Sequence, residues 1–331
     1  MNRHRQVRAR HAALILCVTT LLVPITACNN SAEKGASSAS ATTKPTEAPG
    51  TQSQLPVTID GVVSSVAVTD KGVYIADTGK GNKVDTQGYS SAGGAGRLLL
   101  VEPGATAQKD VGAKVGIPLS IAAAPDGTVY ILSIHPSRAV QFSSGSTDPV
   151  PLPFTFGESL SDASPSRIAV TSTGDVAVLT DKDIQLLPKG QKTPNVIGKP
   201  EYEHFLATDN KGGVYFSDGF DHDINVIESG STEPRVFEKQ DEANPTKQMV
   251  AMAFDTNGDR YSLYESCAPP QEEGLIRPCK TSSVYTLTKF ANGSSTPTDI
   301  PVQGLTSATS VAVDNSGIYI ADNKRVVKIA K

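Results

Sequence analysis

The sequence predicts an all-β fold: a six-bladed β-propeller of four-stranded antiparallel blades. Three observations predict it. A short strand–turn–strand unit recurs along the chain, helical periodicity is nearly absent, and Gly, Asn and Asp punctuate the apolar runs. One such unit cannot bury both of its faces. Radial repetition lets the copies cover one another and leaves only short edges.

The unit is sharpest in the last stretch, Gly304 to Lys331. Ser310 to Val313 reads as a strand, Asp314 to Gly317 as a turn, Ile318 to Ala321 as the returning strand, and Val326 to Ile329 as a third. Gly61 to Lys80 is a near copy: Ser65 to Val68 matches Ser310 to Val313, and Tyr74 to Asp77 matches Tyr319 to Asp322. Four weaker copies lie between them, with first strands at Ser120 to Ala123, Arg167 to Val170, Phe205 to Thr208 and Val250 to Phe254. Their second strands begin at Val129, Val176, Val214 and Arg260. Six units spaced by roughly 40–60 residues fall in the range of propeller blades.

The pattern Ala-Val-Asp-x-x-Gly-x-Tyr-Ile-Ala-Asp at 312–322, with its near copy at 67–77, resembles the NHL repeat. That repeat also builds extracellular sensor propellers of some bacterial receptor kinases. The resemblance spans about 55–331 and is sharp only in the first and last units; Ser133 and Thr180 stand where the closing aspartate belongs. Such a motif specifies a fold well and a function poorly. The last unit has only three strands, so Leu55 to Asp60 is expected to supply its outer strand and close the ring.

Ahead of the propeller, 1–27 reads as a targeting segment. Arg3, Arg5, Arg8 and Arg10 precede an apolar stretch from Ala12 to Pro24, too short for a stable membrane span. Ile25-Thr26-Ala27-Cys28 resembles a bacterial lipobox, which implies lipidation of Cys28 and anchoring on the extracytoplasmic side of the cell membrane. Residues 28–54 are rich in Ser, Thr, Ala, Pro and Gly and are expected to form a flexible tether. Its reach is on the order of 25–30 Å.

Without the four arginines of 1–27, the chain carries 26 basic against 34 acidic residues. That surplus disfavours nucleic acid and anionic lipid as partners. The partners expected are the lipid anchor and a protein or envelope ligand, with the propeller itself a monomer. Cys267 and Cys279, close together in an exported chain, are expected to form a disulfide contributing about 2–3 kcal/mol.

Candidate binding residues cluster on the loops that follow each second strand: Asp77, Asp181 (with Asp183), Asp218 and Asp322. Two readings compete. Each aspartate caps its own turn through local backbone N–H groups, or the set converges at the channel mouth on Ca²⁺ or a cationic ligand. His135 and His222 lie on the same loops, and Asp221 and Asp223 flank His222. Solvated loop histidines are the plainer reading; an acid–base pair is the sharper one. His204 receives no role.

Enzymes on six-bladed propellers, lactonase-like or lyase-like, use metal-held carboxylates or a histidine base on this face. No His-Glu-x-x-His, phosphate-binding glycine loop or Gly-x-Ser-x-Gly elbow is present, and Gly93 to Gly96 reads as a flexible loop. No catalytic residue is assigned and no cofactor is expected beyond a candidate Ca²⁺. The expected function is non-catalytic binding, as scaffold or sensor. A metal-dependent lyase or lactonase is the alternative, and a structural envelope protein the third.

Overall fold

The computed structural model describes residues 47–331 except 86–87, 92–94, 112–114, 144–147, 157–164, 201–204, 219–222, 240–246 and 268–282. The described residues form strands, turns and bends with no helix. Cys28, His204, His222 and Cys279 fall outside them, and so does the expected pairing of Cys267 with Cys279.

Six four-stranded antiparallel sheets follow one another along the chain. Blade 1 is Val63–Thr69, Gly72–Asp77, Arg97–Val101 and Lys109–Asp110. Blade 2 is Ile117–Ala123, Val129–Ile134, Arg138–Phe142 and Val150–Pro151. Blade 3 is Pro165–Val170, Val176–Thr180, Ile184–Leu187 and Asn195–Gly198. Blade 4 is Leu206–Thr208, Val214–Asp218, Asp223–Ile227 and Arg235–Glu238. Blade 5 is Gln248–Phe254, Arg260–Cys267, Ser283–Phe290 and Pro297–Ile300. Blade 6 is Ala308–Val313, Gly317–Asp322 and Arg325–Ala330, completed by Gln52–Gln54.

The taper of each blade is written in one cross-strand pair. Ala67 faces Tyr74, Ala122 faces Tyr130, Ala207 faces Tyr215, Ala253 faces Tyr261 and Ala312 faces Tyr319; blade 3 alone substitutes Ala169 and Ala177. Directly opposed residues share one side of a sheet. The first strands crowd together at the axis and tolerate only a methyl group there. One strand further out, where the blades diverge, a tyrosine fills the wedge.

The core consists of six apolar clusters, each between two neighbouring blades. Ala76, Leu98 and Leu100 of blade 1 meet Ile131, Val140 and Phe142 of blade 2, and Ala321 and Val326 of blade 6 meet Ile75 and Leu99 of blade 1. The remaining clusters join blades 2 and 3, 3 and 4, 4 and 5, and 5 and 6. Every blade therefore buries both faces, and the ring has no open end.

The strand that completes blade 6 lies earlier than 55–60. Gln52, Ser53 and Gln54 pair with Ile329, Lys328 and Val327. The alternation Leu55, Val57, Ile59 arises differently: these side chains pack onto the cluster between blades 6 and 1. Pro56 lacks a ladder donor, and the Val57 amide turns back to the Leu55 carbonyl at 2.9 Å. The long connection 77–97 is also more than a loop, because Asn82–Asp85 and Gly88–Ser91 form a two-stranded hairpin within it.

Candidate functional site

The connections divide between two ends of the ring. Turns between first and second strands form one end, here the turn face. Connections between second and third strands, with those leading into each blade, form the other, the loop face. On the loop face, the hairpin Asn82–Ser91 rises from blade 1. The eight-residue strands Arg260–Cys267 and Ser283–Phe290 extend blade 5.

Asp77 and Asp322, the two sharpest sequence candidates, are fully buried. Asp77 Oδ1 accepts from the amides of Gly61 at 2.9 Å and Gly79 at 3.0 Å. Its Oδ2 accepts from the Asp60 amide at 2.9 Å and Arg97 Nε at 3.0 Å. Gly61 permits this approach: a Cβ there would meet the Gly79 carbonyl oxygen at 2.4 Å. Asp322 repeats the plan. Its Oδ1 accepts from the amides of Thr306 at 2.8 Å and Ser307 at 2.7 Å, and its Oδ2 from Arg325 Nε at 2.9 Å. Each arginine also donates to a carbonyl of the segment leading into its blade, Arg97 to Thr58 and Arg325 to Gly304. These carboxylates tie the lead-in segment to the end of the second strand, with N–H donors on all four oxygens.

The other candidates scatter. In blade 3 Thr180 replaces the buried aspartate and donates to Asp183 Oδ1 at 2.8 Å, while Asp181 is exposed. Asp218 ends the second strand of blade 4, opposite Asp223. His135 is exposed at the turn of blade 2 with φ 51°. Among the described residues, no three of His, Cys, Asp or Glu gather as metal ligands.

A second set of aspartates lies on the turn face; the sequence reading marks Asp314 only as a turn residue and does not single out Asp209 or Asp255. Asp209 Oδ1 accepts from the amides of Lys211 and Gly213, and its Oδ2 from the Tyr215 hydroxyl at 2.9 Å. Asp255 accepts from the amides of Asn257 and Asp259 and from the Tyr261 hydroxyl at 3.3 Å. Asp314 accepts from the amides of Ser316 and Gly317 and from the Tyr319 hydroxyl at 3.5 Å. Burial pushes the Tyr319 phenol up to about 12, with Asp314 acting in the same direction. It therefore remains a donor. The signal was an aspartate recurring five or six residues before the wedge tyrosine.

The central cavity, about 250 Å³, is walled by the first strands of all six blades. Its wall is mostly Ala, Val, Ser and Thr, with Arg167 as its single charged residue among the described residues. In five blades a bulge interrupts the first strand near the loop face, before Ser65, Ser120, Arg167, Ala251 and Ser310. Bulges re-aim side chains, and here three serines reach the next blade. Ser310 Oγ accepts from the Val66 amide at 3.4 Å, Ser65 Oγ from Ile121 at 3.2 Å, and Ser120 Oγ from Ile168 at 3.2 Å.

No family model and no curated protein matches the sequence. Among solved structures, a gluconolactonase from Xanthomonas campestris is similar with a TM-score of 0.57 at 10% identity, over 83% of this chain and 88% of its own. A putative gluconolactonase is similar with a TM-score of 0.57 at 9% identity, over 84% and 91% of the two chains. At such identities the likeness is one of fold alone, and the chain is a β-propeller.

Proposed function

We propose that this chain is a binding propeller outside the cytoplasmic membrane, tethered through lipid on Cys28, which receives its ligand at the loop face and channel without chemistry of its own. The observation that carries this reading is the make-up of that face. Asp77 and Asp322 are taken up by N–H donors of their own blades. The cavity wall contains no carboxylate, histidine or cysteine among the described residues. A lactonase or lyase of the kind weighed above needs convergent metal ligands or a positioned base. His135 is exposed, and among the described residues no three of His, Cys, Asp or Glu gather as metal ligands.

Membrane fractionation and site-specific photo-crosslinking test the reading. Cys28→Ala is expected to release the protein from the membrane fraction. A crosslinker at Lys324, exposed on the loop face, is expected to capture a discrete partner, and one at Lys189, on the turn face, to capture none. Metal-dependent turnover of a lactone by the purified protein, or adducts confined to position 189, would overturn it.

A further inference from the structure

We propose that Asn292 is a self-modification site: its side chain cyclises onto the Gly293 amide and converts slowly to aspartate and isoaspartate on the turn face. The inference goes beyond the binding reading and does not depend on it. The sequence contains two Asn-Gly pairs, Asn257-Gly258 and Asn292-Gly293, both in blade 5. Glycine has no Cβ to shield its amide nitrogen, so either pair reacts in a free peptide. The fold separates them.

Asn257-Gly258 lies in the turn between the first and second strands. There the Gly258 amide donates to the Asp255 carbonyl at 2.9 Å, and the Asn257 amide to Asp255 Oδ1 at 2.9 Å. The nitrogen that would attack is the donor that closes the turn. Asn292-Gly293 lies in the turn between the third and fourth strands, closed instead by the Ser294 amide on the Ala291 carbonyl at 2.8 Å. The Gly293 amide sits at the centre of that turn and takes no acceptor among the described residues. Asn292 and Gly293 are both exposed, and a Cβ on Gly293 would meet nothing within 4 Å. Blades 1, 3 and 4 make the same turn around Pro103-Gly104, Lys189-Gly190 and Ser229-Gly230. A positive φ at the second central residue calls for glycine, and Gly293 has φ 76°. The first central residue is free to vary. Of these four, Asn292 alone sets an amide carbon beside the glycine nitrogen.

Two bonds hold Asn292. Its Nδ2 donates to the Asn257 carbonyl at 2.8 Å, and its backbone amide to Asp259 Oδ1 at 2.9 Å. At an exposed position water replaces the first at little cost, and the side chain is then free to swing towards Gly293. The Gly293 nitrogen loses its proton and bonds to Asn292 Cγ. The Cγ–Nδ2 bond breaks, ammonia leaves, and a five-membered imide remains. Water opens the imide at either carbonyl carbon. Opening at Cγ gives aspartate; opening at the main-chain carbonyl leaves the chain running through Cγ, as isoaspartate. One water enters and one ammonia departs.

Aspartate exchanges the Nδ2 donor for a carboxylate facing the Asn257 carbonyl, beside an Asp259 that already pairs with Lys289 Nζ at 2.6 Å. Isoaspartate also adds a main-chain carbon to the turn, which disrupts the bond between Ser294 and Ala291. Either product loosens the outer strand of blade 5, Pro297–Ile300, at its turn-face end.

Ageing of the full-length protein in detergent at mildly alkaline pH, followed by peptide mapping, tests the site. Position 292 is expected to convert at least tenfold faster than position 257, with isoaspartate among its products. In urea, where both turns are undone, the two rates are expected to converge. Aged protein is expected to melt at a lower temperature than fresh protein. Asn292→Ser, which gives this turn the residue of blade 4, is expected to fold and to keep its melting temperature on ageing. Conversion at 257 as fast as at 292 in the folded protein, a folded-state position 292 that stays intact, or a product free of isoaspartate would each overturn the assignment. Aged and fresh protein melting together would overturn the loosening of blade 5.

Discussion

Arg97 donates to the Asp77 carboxylate at 3.0 Å, and Arg325 makes the same bond to Asp322 at 2.9 Å in the neighbouring blade. The two pairs hold the segments that lead into blades 1 and 6, on either side of the point where the ring closes. Asp77→Ala strips an acceptor from three amides and takes from the Arg97 guanidinium its buried carboxylate, leaving it Asp60 and the Thr58 carbonyl. The expected cost is about 3 kcal/mol, within the range for breaking a buried, hydrogen-bonded charge. Urea denaturation measures it. Addition of Ca²⁺ or EDTA is expected to leave the wild-type melt unmoved; a calcium-dependent rise that Asp77→Ala abolishes would restore the cation-site reading.

The serine stitches give a smaller effect with a definite direction. Ser65→Ala leaves the Ile121 amide without its acceptor between blades 1 and 2. The expected loss is about 1–2 kcal/mol, read as a lower denaturation midpoint with an unchanged slope. Ser316→Ala, on the exposed turn of blade 6, leaves the Asp314 carboxylate its two amide donors, Ser316 and Gly317. It is expected to cost less than half as much.

These bonds also show how far the sequence could be read. The period, the strand pairs and the recurrent aspartates were legible because each is a local pattern repeated along the chain. The Ala–Tyr wedge is the same kind of signal, visible as Ala67 and Tyr74 or Ala312 and Tyr319 at fixed spacing. What stayed hidden depends on partners distant in sequence. Leu55, Val57 and Ile59 alternate as a strand does, yet only the packed ring reveals that they bury against blades 6 and 1 and that the pairing with blade 6 ends at Leu55, whose amide donates to the Val326 carbonyl at 3.0 Å. In the sequence Arg167 reads as an ordinary first-strand residue. Its departure from the repeat emerges once register aligns it with Ser65, Ser120 and Ser310.

The closing strand makes a third prediction. Gln52 to Gln54 supply the outer edge of blade 6, and the Gln52 side chain adds two bonds to the Gln303 backbone, at 2.9 and 3.0 Å. A chain beginning at residue 55 keeps Leu55, Val57 and Ile59 in their cluster and loses the ladder, the Gln52 side-chain bonds and the Glu47–Lys328 ion pair. It is expected to fold with a melting temperature several degrees lower, and to expose the amides of Lys328 and Ala330, which face the closing strand, to hydrogen exchange. Unchanged protection there would place ring closure elsewhere.

The turn-face ion pairs of Asp255 and Asp259 are expected to contribute to the acid sensitivity of stability. Asp255 is buried, which by itself raises its pKa. The bonds from Lys331 Nζ at 2.7 Å and from the amides of Asp259 and Asn257 outweigh burial and hold the carboxyl below its usual value. Asp259 is lowered as well, first through its bond to Lys289. A carboxylate whose folded pKa lies below its unfolded value, about 3.9, contributes stability that is fully present above that value. As pH falls through the folded pKa the contribution disappears, because the unfolded chain takes up the proton first. Unfolding free energy should therefore decline between about pH 4 and the lower folded values. The decline should be shallower in Asp255→Asn, at the cost of lower stability at neutral pH. Denaturation midpoints measured from pH 7 to pH 3 check both parts; parallel curves for the two proteins would show that Asp255 carries none of the acid sensitivity.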